Sequence, residues 1–160
     1  LFGLLFPLLI KYGIGFETHG QNTFLRVDCE SKQIKGFAIR DHEGVKIHLP
    51  TLREQGIDLD IEASPGCTND LLEVLSKVHH ALVQNHIGNL LYNMNIDASE
   101  GWGIVRGAFD GVVKGDQSRD GRRVLEFMMG DMMLFKCFLG QRMSGAFNDV
   151  RKPRQLEPIY

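Results

Sequence analysis

The chain has 160 residues, 43% of them hydrophobic, and a formal net charge of −2. That is enough for one buried core and too near neutral to make an electrostatic case for nucleic acid or an anionic membrane. Three cysteines, Cys29, Cys67 and Cys137, are odd in number and lack CxxC spacing, which argues against a disulfide framework or a cysteine zinc site and fits a reducing, cytoplasmic compartment. The opening run from Leu1 to Ile10 is shorter than the about 20 apolar residues of a membrane span. It also lacks the basic flank and small-residue cleavage site of a signal peptide, and reads as a buried element cut from a longer polypeptide.

Leu4 to Tyr12 reads as a helix closed by Gly13. Ile14 to His19 follows as a strand, and Thr23 to Asp28 with Ile34 to Arg40 as a hairpin turning about Ser31 and Lys32. After the Asp41-His42-Glu43-Gly44 turn comes a third strand, Val45 to Leu49. Pro50 opens a short helix, Thr51 to Gln55, which Gly56 stops. Residues 57–69, with Ser64-Pro65-Gly66, form a connecting loop. From Leu71 the apolar period changes from about 2 to about 3.6. Leu71, Leu75, Val78, Leu82, His86 and Leu90 then mark the inner stripe of a long helix, with Thr68 or Asn69 as its cap. A second helix covers Ser99 to Val113 and a third Arg122 to Arg142, and the tail from Pro153 to Tyr160 is extended. The fold class is therefore α+β. A small antiparallel sheet of strand, hairpin and third strand occupies residues 1–56, the loop 57–69, and a cluster of three helices 70–160, all in one domain.

The most informative stretch is Glu17-Thr18-His19-Gly20-Gln21-Asn22, polar and small residues set between apolar runs. Polar groups in an apolar framework need partners, and an acid, an amide and the second acid Asp41 suggest a cation. With the hairpin folded about Ser31 and Lys32, Asn22 faces Asp41, with α-carbons about 4.5–5.5 Å apart. Alternation then puts Glu17, His19 and Gln21 on one face of the strand and Ile14, Phe16 and Thr18 on the other. Taken singly, each residue has a structural alternative: a solvated acid, a hydrogen-bonded histidine, a bulge glycine, a turn asparagine or a turn-capping aspartate. His79, His80 and His86 lie without a nearby carboxylate or cysteine to complete a metal shell and read as core-facing. The methionines at 128, 129, 132 and 133 read as packing. Lys136 and Arg142 are either a solvated helix end or anion ligands.

Tyr12-Gly13-Ile14-Gly15-Phe16-Glu17-Thr18-His19-Gly20-Gln21-Asn22-Thr23 resembles the signature of siderophore synthetases that work independently of nonribosomal peptide synthetases, the aerobactin-synthetase type. There a YGI-x-x-E-x-HGQN-like run precedes a hairpin ending in R-D-x-x-G, and Arg40-Asp41-His42-Glu43-Gly44 stands in that place. Gln84-Asn85-His86 in the long helix, the Lys136 to Met143 stretch and Glu157-Pro158-Ile159 add weaker matches. The resemblance covers essentially the whole chain, as the C-terminal part of a longer synthetase. Thr18 departs from it, since that position is usually small and apolar, and the loop from Ile57 to Asn69 matches nothing obvious.

The resemblance implies an ATP-dependent ligase that adenylates citrate or a related polycarboxylic acid and passes the acyl group to an amine or an alcohol. It implies Glu17, Asn22 and Asp41 as magnesium ligands, Gln21 as a nucleotide contact, and His19 at the carboxylate and developing adenylate; Arg40 and Lys136 are further candidate nucleotide contacts, Arg40 otherwise pairing with an acid of the site or lying across the sheet. A homodimer of the full-length parent is a further expectation. No GxxxxGK[ST] phosphate cradle is present; in the family the triphosphate-binding residues lie N-terminal to this region, so the chain alone is expected to be inactive. Two rival readings stand beside it. One is a kinase-like magnesium-dependent phosphotransferase, although Glu17 holds the place of that layout's catalytic aspartate. The other is a non-catalytic remnant serving as a binding or dimerisation domain.

Overall fold

The computed structural model describes residues 1–59, 64–113, 119–128, 130, 133–136 and 156–159. They fall in two compact units, Leu1–Met128 and Met129–Tyr160. In the first, helix α1 (Phe2–Tyr12) ends where Gly13 turns left-handed at φ 68° and returns its N–H to Leu8 and Leu9 carbonyls, a conformation that glycine adopts without a Cβ penalty. Strand β1 (Ile14–Gly15) follows at once. The ribbon β2 (Thr23–Val27) and β3 (Ile34–Ile39), strand β4 (Lys46–His48), helix α2 (Leu49–Glu54) and strand β5 (Cys67–Thr68) complete the N-terminal part.

The α+β class holds, but the strands divide differently from the single antiparallel sheet expected. β1 pairs antiparallel with β4, and β4 pairs parallel with β5, while β2 and β3 form a ribbon of their own. The strand expected from Ile14 to His19 keeps ladder pairing only over its first two residues; beyond Gly15 the chain leaves the sheet and loops. β5 falls within the expected connecting loop.

The helical part is one long rod and two shorter helices. The rod comprises α3 (Leu71–Val78), a π-helical stretch (His79–Ile87) and α4 (Gly88–Asn93). Its cap is Asp70, one residue after the candidates, whose Oδ1 accepts from Leu72 N–H at 2.9 Å. Helix α5 (Ala98–Val113) begins beneath Asp97, whose Oδ1 accepts from the N–H groups of Ser99 and Glu100. Helix α6 (Arg119–Met128) ends well before Arg142. In the second unit β6 (Met133–Lys136) pairs antiparallel with β7 (Leu156–Ile159), so Lys136 ends a strand and not a helix. The run from Met132 to Leu139 is almost wholly apolar, and an unbroken apolar run fits a strand as well as a helix. Arg142 lies outside the described residues.

The core is built by Leu5, Phe6, Leu9 and Ile10 of α1, Leu49 and Leu52 of α2, and Leu71, Val74, Leu75, Val78, Ala81 and Leu82 of the rod. Phe109 of α5 and Val124 of α6 close it. Each such large side chain contributes about 1.5–3 kcal/mol on burial. Phe2, Phe6 and Phe109 meet edge-to-face, with ring centroids 4.7–5.9 Å apart. His48 is buried as the α2 cap: its Nδ1 accepts from Thr51 N–H, and its Nε2–H donates to the Asn69 carbonyl at 3.3 Å.

β1 lies so close to the rod that a Cβ at Gly15 would stand 2.7 Å from both Val74 Cγ1 and Val78 Cγ2. Gly15→Ala should therefore destabilise the fold by about 1–3 kcal/mol, the usual range for overpacking. Gly103, in α5 with nothing within 4 Å of its Cβ position, should gain up to about 1 kcal/mol on replacement by alanine. Urea midpoints of the two variants should move in opposite directions.

Candidate functional site

The loop that leaves β1 is held together from within by Asn22. Its N–H donates to the His19 carbonyl at 2.9 Å. Its Nδ2 donates to the Glu17 carbonyl at 3.1 Å and to His19 Nε2 at 3.3 Å. Both amide hydrogens are thus committed, and Oδ1 is the end left for a ligand. Because His19 Nε2 accepts, the ring proton sits on Nδ1. Asn22 is 2% exposed and Thr18 0%; these two anchor the loop, while Gly20 and Gln21 stand exposed at its tip.

The rod supplies the second tie. His86 Nδ1–H donates to the Thr18 carbonyl at 2.9 Å. A carbonyl can only accept, so Nδ1 carries the proton and Nε2 remains an acceptor. His86 sits here because the π-helical stretch breaks the α period. Leu71, Leu75, Val78 and Leu82 are buried as the spacing predicts, whereas Leu90 is 50% exposed and His86 is half-buried at the loop. Of the three histidines read as core-facing, only His79 is buried. The stretch aligns residues five apart: Gln84 Nε2 donates to His79 Nδ1 at 3.1 Å, and Asn85 Nδ2 to His80 Nε2 at 3.1 Å. His80 Nδ1–H donates to Gln84 Oε1 at 3.0 Å. Burial, then the neighbouring His80, holds the His79 pKa below the ordinary histidine value.

Of the expected metal set, Glu17 is paired with Lys77 Nζ at 3.0 Å, both side chains largely shielded. Its carboxylate also packs on Gly44, where any Cβ would collide with it. Asp41 is exposed and left-handed (φ 64°, ψ 78°), opening the 3-10 turn His42–Gly44 without a side-chain cap bond. The ribbon register is shifted by one from that expected. Thr23 pairs with Ile39 and Arg40 N–H donates to the Asn22 carbonyl at 3.0 Å, so Asn22 faces Arg40, and Asp41 follows one residue later. The turn explains the shift. Asp28 Oδ1 gathers Glu30 N–H, Ser31 N–H and Ser31 Oγ–H, Lys32 is left-handed, and an irregularity between Arg26 and Val27 absorbs one residue. Arg40 lays its guanidinium over the Phe24 ring at 5.2 Å. Lys136 belongs to the second unit. Among the described residues no three His, Cys, Asp or Glu side chains converge to hold a metal.

An open cleft of about 650 Å³ lies between loop and rod, lined by His19, Gly20 and Gln21 on one side and Asn85, His86, Asn89, Leu90 and Asn93 on the other. Of these, His19 and Gln21 were expected at a site. Asn85 and His86 stood out only as a weaker family match, with His86 read as core-facing; Asn89 and Asn93 were missed, although Asn85, Asn89 and Asn93 recur every four residues, which places them on one helix face. Lys77 was missed too.

The profile of the family described as "Ferric iron reductase FhuF-like transporter" matches residues 1–145. The chain belongs to this FhuF-like family. It is 45% identical, over 95% of its length, to the NRPS-independent siderophore synthetase-like protein ankE of Aspergillus thermomutatus, of which the match covers 25%. It is 41% identical over 62% of its length to the NRPS-independent siderophore synthetase rfs of Rhizopus delemar, covering 16% of that protein. The D-ornithine--citrate ligase of Staphylococcus aureus is 26% identical over the whole chain, which spans 27% of it. The family member described here is thus related to siderophore synthetases and spans about a quarter of the length of the relatives it matches over most of its own. No solved structure gives a significant match, and among the described residues no helix is long and apolar enough to cross a membrane.

Two outcomes test this geometry. Thr18 Oγ1 is buried without a hydrogen-bond partner among the described residues, so Thr18→Val, which keeps the shape and removes the hydroxyl, should stabilise the fold by about 1 kcal/mol, read as a higher urea midpoint. His79 gives the second. Its folded pKa is lowered from the ordinary 6.5, so below that value the unfolded chain takes up the proton first. Stability should hold above about pH 7 and fall as the pH drops through the histidine range. Urea titrations across that range should show a shallower fall for His79→Leu.

Proposed function

We propose that this chain is the C-terminal, metal- and carboxylate-binding portion of an ATP-dependent siderophore synthetase. Such an enzyme activates one carboxyl group of citrate or a similar polycarboxylic acid as an acyl adenylate, then joins it to an amine or an alcohol. The observation that carries the reading is the Glu17–Asn22 loop, in which the Asn22 amide binds the His19 imidazole and the Glu17 backbone carbonyl in one turn beside an open cleft. The synthetase and ligase names of the relatives support it, and it rests on those names and not on the reductase wording of the family description. A reducing cytoplasm as the site of synthesis agrees with the free thiols of Cys29 and Cys67.

The donors fit magnesium by their chemistry. Asn22 has only its Oδ1 uncommitted, Glu17 and Asp41 bring carboxylates, and magnesium selects hard oxygens. Bound there, the ion would supply neutralisation of the charge that develops during transfer. His19, with its proton on Nδ1, acts as a fixed donor that grips the acid's carboxylate and holds it towards the nucleotide's α-phosphorus. Gln21 and Arg40 contact the nucleotide. Lys77 holds Glu17 in place through an ion pair at 3.0 Å. The full site includes phosphate-binding residues outside this chain.

In the full-length synthetase, Asp41→Asn should lower acid-dependent pyrophosphate release by about 10²-fold and change the affinity for the acid by less than about threefold, because the lost interaction belongs to the transition state. Unchanged release at saturating magnesium would remove Asp41 from the site. The 160-residue chain alone should give no saturable ATP signal by calorimetry at micromolar concentrations; a tight signal would place the phosphate site within it.

A further inference from the structure

The cleft is lined by neutral side chains, and two imidazoles face it with opposite commitments. On the loop side, His19 Nε2 is occupied by the Asn22 amide, so the ring has a donor to offer, Nδ1–H. On the rod side two acceptors, Asn85 Oδ1 and His86 Nε2, stand beside the Asn89 and Asn93 carboxamides, which can both donate and accept. Asn85 commits both amide hydrogens to His80, one to its carbonyl and one to Nε2, each at 3.1 Å, and has Oδ1 remaining. Asn93 Nδ2 donates to the Asn89 carbonyl at 2.7 Å. His86 gives its Nδ1–H to Thr18 and keeps the Nε2 lone pair. The ring edge beside that nitrogen faces the glycine of the loop: a Cβ at Gly20 would stand 4.0 Å from His86 Cδ2. Neither wall carries a carboxylate, a lysine or an arginine.

The His19 N–H suits a carboxylate, and the His86 Nε2 lone pair beside Asn85 Oδ1 suits a group with protons to give, such as an amine. We infer that the rod wall seats the incoming amine, and that His86 Nε2 is the general base that takes its proton during acyl transfer. This rests on the ligase reading above. In that step the amine nitrogen bonds to the acyl carbon of the adenylate. The bond from that carbon to the phosphate oxygen breaks, AMP leaves with the electron pair, and the proton shed by nitrogen goes to His86 Nε2. The tie from Nδ1 to Thr18 orients the ring for this, as a carbonyl or carboxylate partner sets the tautomer of other catalytic histidines.

The two half-reactions separate the possibilities in the full-length synthetase. His86→Asn retains an amide N–H for the Thr18 carbonyl and lacks the base. Its rate of alkylamine coupling, divided by its rate of acid-dependent pyrophosphate exchange, should fall by about 10²-fold. Hydroxylamine is largely unprotonated at neutral pH and, being weakly basic, gives up its proton to water on acylation, so its coupling should keep pace with exchange. Asn89→Ala, which breaks no side-chain bond among the described residues, should raise KM for the alkylamine by about tenfold and leave that for the acid within about twofold. Parallel loss of exchange and coupling in His86→Asn would overturn the inference, because it would leave His86 as a support for the loop alone. An unchanged amine KM in Asn89→Ala would remove the amine from the rod wall. Absence of acid-dependent exchange in the unmutated enzyme would sink the ligase reading itself, a result visible before any variant is made.

Discussion

The bond from His86 Nδ1–H to the Thr18 carbonyl is the contact on which the candidate site depends. It joins residues 68 apart in the chain and ties an irregular loop to the rod, whose Val74 and Leu82 are fully buried. The carbonyl it satisfies belongs to a fully buried residue, where an unpaired acceptor would cost about 1–3 kcal/mol. With Thr18 fixed, Asn22 can close the turn, and the turn orients His19. A chain of three local constraints therefore transmits the rigidity of the core to a segment with no ladder of its own. Rigid support of this kind is what a binding loop needs to hold its groups in one geometry.

The π-helical stretch makes that bond possible. An α-helix continued from Leu71 would keep position 86 on the buried stripe with Leu75 and Leu82. Five-residue spacing through residues 79–87 turns the face, so that the polar group Asn85, His86 and Asn89 looks onto the loop. Such bulges often accompany functional sites. The pairs His79–Gln84 and His80–Asn85 show side chains stabilising the wider turn, since five-apart residues meet directly only when the helix is wound this way.

How much of this could be seen in the residues depends on the range of the interaction. Helix α1 and its glycine stop, α2 behind Pro50, the long helix and α5 were legible because caps and periods are local. The Glu17–Asn22 stretch stood out because polar residues between apolar runs require satisfaction. The ribbon register was not legible: it turned on one aspartate gathering three hydrogen bonds and on a single-residue irregularity, and a slip of one exchanges every facing pair. The wider helical turn was hidden for a similar reason, since the apolar spacing is compatible with the α period up to the point where the backbone departs from it. Lys77 could not be paired with Glu17 from spacing alone, as the two come from elements that meet only in three dimensions.

The ribbon β2–β3 stands apart from the other sheets, with Phe24, Leu25, Val27 and Ile34 at 46–61% exposure. A two-stranded ribbon with so little buried apolar surface is marginal by itself, and its opening need not disturb the core beneath α1 and the rod. It constitutes a foldon of low local stability, whose amides exchange with solvent long before those of Val74 or Leu82. Asn22 and Asp41 flank its open end, so a subglobal opening moves Asp41 away from Asn22, while Asn22 stays with His19 and His86 in the anchored loop.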